Sequence, residues 1–237
     1  MIHTVCMSRR SQAERSETTR RALLRAARGL FERRGFDGVA AEQIVAAARV
    51  TRGALYHHFE NGKVGLFRAL VRELMQEIHG RLTVAGRRAA SPYQALELGV
   101  GAFLEVCTEP GYRRIVLVDG PAVLGWHVWR SMDLEYGLGL LRRALEAAAA
   151  AGQIQVDDVE TTSHLLAGAL VDGALLLAQA PGQGVQRRRV RVALLRLLRG
   201  LRSGGTGEAD AVRRGVLERT RPRVNPRAEG GDRVHGR

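Results

Sequence analysis

Apolar residues recur along this chain at three- and four-residue intervals, the period of helices with one buried face. Leu23, Ala27, Leu30 and Phe31 mark a first helix over 16–34, which Gly35 stops after two arginines. Residues 41–48 set Ile44, Val45 and Ala48 on one side of a short second helix, and Arg49, Val50 and Thr51 form a tight turn into a third, whose apolar face is Leu55 and Phe59. The helices then lengthen. Leu66, Leu70, Leu74 and Ile78 define one over 62–84, and Ser91-Pro92 announces another over 92–108 with Ala95, Leu96, Gly99, Phe103 and Val106 inward. Ile115 to Val118 could be an isolated strand, but helices on both sides favour a short helix. A long helix from about Trp126 to Ala151, closed by Gly152, is followed by two more over 157–180 and 185–201. The fold class this predicts is all-α, with about nine helices in total.

The stretch from Val50 to Lys63, V-T-R-G-A-L-Y-H-H-F-E-N-G-K, carries the most specific chemistry. Thr51 is a natural N-cap, its side-chain oxygen accepting an N–H of the first turn. Gly53 removes a side chain where a backbone could approach a partner closely. Arg52, Tyr56 and His57 are left on the polar face. Two short helices joined by so tight a turn form a helix-turn-helix, whose second member can lie in the major groove of DNA.

These segments resemble the amino-terminal DNA-binding domain of the TetR family of bacterial transcriptional regulators. The resemblance covers residues 15–75 and rests on R-R-A-L-L-R-A-A-R-G-L-F-E-R-R-G-F, Q-I-V-A-A-A and V-T-R-G-A-L-Y-H-H-F followed by Lys63, in this order and at these separations. It implies that Gln43, Thr51, Arg52, Gly53, Tyr56, His57, His58 and Lys63 face DNA, with Lys63 on a phosphate. Three positions depart from the family pattern. Arg49 stands where members usually carry a turn glycine, and a left-handed backbone there costs about 1 kcal/mol with a Cβ present. Val45 replaces a small alanine, and Ala41 stands where a hydroxyl residue often caps the second helix.

Plainer readings stay open for several of these side chains. Tyr56 could be a half-buried aromatic, Arg52 an ordinary solvated charge, and Lys63, the only lysine among 37 basic residues, an accident of composition. His57 and His58 are adjacent and point in different directions, so they cannot ligate a metal as an i, i+4 pair would.

Charge sharpens the picture. A formal net charge of +13 and a sequence pI near 11.2 suit a polyanionic partner, because counterion release from phosphates supplies much of DNA affinity. Two cysteines, Cys6 and Cys107, offer neither a disulfide framework nor metal-ligand spacing. The first residues lack a signal peptide's apolar core, with Met7 an alternative initiator, and the apolar run Leu165–Ala180 is broken by Asp172. A cytoplasmic protein without a membrane partner is expected.

The predicted organisation is a flexible leader over 1–14, a helix-turn-helix DNA-binding domain over 15–62, a helical effector-binding and dimerisation domain over 63–202, and a disordered Arg/Gly-rich tail over 203–237. Both tryptophans fall in 119–136, so Trp126, His127, Trp129, Arg130 and Tyr136, facing Phe103 and Cys107, could wall a small-molecule pocket. Ordinary core packing is the rival reading. Asp119, before a Gly-Pro turn, reads as a local cap. For the last two helices, Leu166, Leu170, Gly173, Leu177, Ala193, Leu197 and Leu201 are candidates for an interface that the family resemblance implies to be a homodimer bundle; a purely intramolecular role is the alternative.

No nucleophile elbow, phosphate-cradling loop or zinc pair is present in the sequence, so neither an enzyme nor a cofactor or metal is expected. The expected function is a repressor that binds a palindromic operator as a homodimer and is released by a small molecule. The alternative is a ligand-independent architectural DNA-binding protein.

Overall fold

The structure, a computed structural model, describes residues 2–179 and 183–202, with side chains for 12–179 and 184–202. The expected tail over 203–237 and the side chain of Cys6 lie outside those residues. Among the described residues there are nine helical elements and no strand beyond one isolated bridge, Ile154 to Arg202.

Helices α1 (Ile2–Arg34), α2 (Ala41–Ala48) and α3 (Arg52–His58) form the head. Helix α1 reaches back to Ile2, through the described part of the stretch 1–14 expected as a flexible leader. Residues 12–16 are exposed there, with a Thr18 bond to the Glu14 carbonyl and a Glu17–Arg21 pair as local side-chain support, and core contacts begin at Leu23. Helix α4 (Lys63–Arg87) starts in the head and runs into the larger domain, burying Leu66, Phe67, Leu70, Val71, Leu74, Met75 and Ile78. Helix α5 (Pro92–Cys107) opens on Ser91, whose hydroxyl accepts the Gln94 N–H at 3.2 Å. Helices α7 (Trp126–Ala150), α8 (Val159–Gln179) and α9 (Gln183–Gly200) complete the bundle. Helix α8, within the 157–180 expected, is 21 residues long and by length and composition alone is long and apolar enough to cross a membrane, which a run broken at Asp172 was not expected to be. Asp172 interrupts it, and Ala167, Val171, Ala174, Leu177 and Ala178 bury one of its faces in the bundle.

The element between α5 and α7, α6, has three parts: Pro110–Tyr112, a π-helical turn Arg113–Asp119, and Gly120–Leu124. The helix expected around Ile115 is therefore present in a widened form. Pro121 explains the widening, since its ring would clash with the carbonyl of Leu117 in a regular helix and it has no N–H to give.

Candidate functional site

The reading head is held by caps and a small core. Ile44 and Leu55 are fully buried and Phe59 nearly so, which pins α2 and α3 against α1. The N-cap of α2 is Ala40 rather than Ala41; with no hydroxyl to offer, its own N–H is capped instead by Gln43 Oε1 at 3.1 Å. Gln43, expected to face DNA, thus spends its acceptor on the fold and keeps its amide N–H groups on an exposed surface. Arg49 adopts the left-handed conformation, φ 56° and ψ 43°, where a glycine is usual, and the Arg49 and Val50 N–H groups close the end of α2 on Ala46 and Val45.

Helix α3 presents its polar face outward. Thr51 Oγ1 accepts the Ala54 N–H at 3.2 Å. Tyr56 is 51% exposed, and Arg52 lies 5.7 Å over its ring while pairing with Glu42 at 3.2 Å. A Cβ on Gly53 would meet only Thr51 Oγ1 at 3.8 Å, so no contact inside the chain requires a glycine there. His57 is exposed; His58 is half-buried, and burial, then His57 and Arg20, hold its imidazole below the ordinary histidine range. Lys63 lies with Nζ 3.9 Å from the centre of the Phe36 ring, and burial lowers its ammonium against the pull of Asp37. A contribution the sequence reading missed is Gly62, whose φ of +56° and lack of a Cβ let the Tyr56 ring rest on its backbone. The Asn61-Gly62 pair is the signal that could have found it.

The π-helical turn ties this head to the larger domain. Asp119 is buried, yet it caps nothing locally, contrary to expectation. Its Oδ2 accepts the backbone N–H of Phe36, in the α1–α2 turn, at 2.8 Å, and the Arg114 guanidinium lies beside it at 3.3 Å. At the start of the same turn Arg113 Nε donates to the Ala178 carbonyl at the end of α8, at 2.9 Å. Between them Trp129 Nε1 donates to the Val116 carbonyl at 2.7 Å. One short segment therefore bonds to head, α7 and α8 at once.

Behind it lies a cavity of about 380 Å³ between α4, α5, α6, α7, α8 and α9. Ile78, Leu82, Leu96, Phe103, Leu141 and Leu170 give it apolar walls, and Tyr112 and Asp133 bring polar groups to one end. Burial pushes Asp133 above the usual carboxylate range, against the opposing pull of Arg130, with which it pairs. His79 Nδ1 lies 2.8 Å from the Tyr136 carbonyl and Tyr136 Oη accepts from Gln76 at 3.3 Å.

Of the pocket residues expected from sequence, Phe103 and Tyr136 line this cavity. Trp129 instead packs in the core because its indole N–H finds Val116, and Cys107 is fully buried beside Tyr112 without reaching the lumen. Trp126 is 48% exposed, His127 is exposed, and Arg130 stands behind Asp133. The amphipathic wall of α4, read from the sequence only as core, is the part of the lining that reasoning missed.

The last two helices also divide differently. Gly173 and Leu177 are buried in the monomer, Leu166 and Leu170 line the cavity, and Leu201 packs on the inner core. Ala193 and Leu197 are exposed, joined by Leu165, Leu176, Val185 and Val192. The correction arises because α8 is apolar on two faces, and periodicity alone cannot say which one a neighbour covers.

Two family models match the chain: bacterial regulatory proteins of the tetR family over residues 23–70, and the tetracyclin repressor-like C-terminal domain over 93–201. A crystal structure of a TetR-family transcriptional regulator from Pectobacterium atrosepticum superposes with a TM-score of 0.71 at 31% identity, covering 80% of this chain and 96% of that one. The Transposon Tn10 TetC protein of Escherichia coli is 27% identical over 157 residues, 66% of this chain and 79% of that protein. The HTH-type transcriptional repressor BepR of Brucella suis is 34% identical over 109 residues, 46% and 51% of the two chains.

Proposed function

The chain belongs to the TetR family of bacterial regulatory proteins, and on that premise we propose that it is a cytoplasmic repressor, binding a palindromic operator as a homodimer and releasing it when a small molecule fills the cavity. The observation that carries this reading is the π-helical turn: Tyr112, immediately before it, lines the cavity, and Asp119, its last residue, holds the backbone of the head. A ligand that shifts Tyr112 displaces the Phe36 turn, and Phe36 carries Lys63 on its ring. DNA and ligand then oppose each other by the same factor in both directions.

The reading face is Arg52, Gly53, Tyr56 and His57, with Lys63 swinging off Phe36 to reach a phosphate. The exposed apolar stripe of Leu165, Leu176, Val185, Val192 and Leu197 is the face that a second copy covers, setting the separation of two heads. Binding to the DNA flanking its own gene, compared with scrambled DNA at two salt concentrations, tests the function. Sequence preference supports a regulator; a steep salt slope without preference supports the architectural alternative. Tyr56→Phe and Lys63→Ala weaken binding to all sequences, whereas Arg52→Ala and His57→Ala change the preference among them. Unchanged affinity in all four would remove α3 as the reading helix.

A further inference from the structure

Resting on the reading of the cavity as the effector site, we propose that it takes an elongated, mainly apolar molecule that enters with an uncharged oxygen acceptor first, a carbonyl or a hydroxyl, bonded by the Tyr112 hydroxyl. The shape comes from the helices that line it. Met75 to Arg87 on α4 spans about 18 Å at the helical rise, and α7 lines the lumen from Asp133 to Ala144 over a similar length. Gly86 faces Ala95 at the far end, while Tyr112 and Asp133 close the near end beside the head. Along the middle, a Cβ on Gly99 or on Gly137 would meet nothing within 4 Å, so both glycines leave the lumen wide.

The polarity comes from what the lining groups already do. Tyr112 lines the cavity and no hydrogen bond from its hydroxyl is seen among the described residues, although the one fully enclosed unpaired hydroxyl there is that of Tyr93. A phenol O–H without a partner in the protein is free to donate to a ligand oxygen, an exchange worth about one net hydrogen bond. Asp133 is already paired with Arg130, and Tyr136 and His79 are engaged with the protein, so the near end offers no spare counter-charge. A permanently charged group entering there would be stripped of water for nothing. Arg87 and Arg143, exposed and without an acid partner among the described residues, line the far end, where an anionic group of the ligand would stay in contact with water.

Displacement of the apolar fluorophore N-phenyl-1-naphthylamine from the full-length protein tests this. Gly99→Leu with Gly137→Leu, which fills the lumen, abolishes fluorophore binding while helical content is retained; if it does not, the cavity is not the effector site and the reading beneath this inference fails. With that established, decan-2-one displaces the fluorophore from wild type about three- to tenfold better than from Tyr112→Phe, the worth of one net hydrogen bond, while the hydrocarbon decane does not distinguish the two. Decyltrimethylammonium competes poorly with both. Equal displacement by decan-2-one from wild type and Tyr112→Phe, or a cation matching the ketone on wild type, would overturn the assignment and leave the cavity as a site of another chemistry.

Discussion

In the head, the rings of Phe31, Phe36 and Phe67 meet edge to face or tilted with centroids 5.6, 5.4 and 4.9 Å apart, and Leu23, Ile44, Leu55 and Leu66 close around them without exposure. The larger domain uses the same leucine, alanine and glycine vocabulary, yet leaves about 380 Å³ open along α4. Packing decides where each part can yield. A reading element must keep its donors in register on a duplex, so its support is filled; a sensor needs unfilled volume, so its walls have partners on one side only.

Truncation should break that contrast most sharply. Phe67→Ala removes a fully buried ring from the head and is expected to cost about 3–5 kcal/mol in urea unfolding, whereas Phe103→Ala, half-buried in the cavity wall, costs markedly less. Equal losses would mean that the domain behind the head is as filled as the head itself.

The bridge between the two regions comes next. Asp119→Ala strips the Phe36 N–H of its acceptor in a part-buried site, and a loss of about 1–3 kcal/mol is expected. Asp119→Asn, which can keep an acceptor for that N–H, should recover most of the stability. If ligand still releases DNA from the alanine variant as it does from wild type, the π-helical turn is not the connection between sensor and head.

A pair of glycine substitutions separates head from sensor at a smaller scale. Gly35→Ala asks for a Cβ at φ +70°, 2.0 Å from Arg114 Nη2, and should lower the melting temperature by an amount corresponding to about 1–2 kcal/mol. Gly99→Ala places the same methyl in open lumen within a helix and should raise stability by about 0.5–1 kcal/mol. The smallest effect concerns the helix-turn-helix itself: Arg49→Gly relieves the left-handed arginine at φ 56° and should stabilise by about 1 kcal/mol or less, read as a shift in the urea midpoint.

The head was readable in advance because its decisive contacts lie close in sequence. Thr51 caps Ala54, Leu55 and Phe59 are one turn apart, and the strained turn falls on the Arg49 that departs from the family pattern. The sensor was not. Trp126 and Trp129 have the composition of pocket walls, but one is about half exposed and the other is bonded to a carbonyl thirteen residues earlier. Asp119 looked like a local cap because its partner, Phe36, is 83 residues away.

Helix periods, the Thr51 and Ser91 caps and the tight turn before Thr51 were determined by the sequence alone, since each is decided among neighbours a few residues apart, where side-chain chemistry and backbone preference act directly. Which face of α8 is inward, what Asp119 holds and where volume is left empty were decided only in the tertiary structure. A cavity is a shortfall of atoms between six elements packed at once, and no short stretch of any one of them records it.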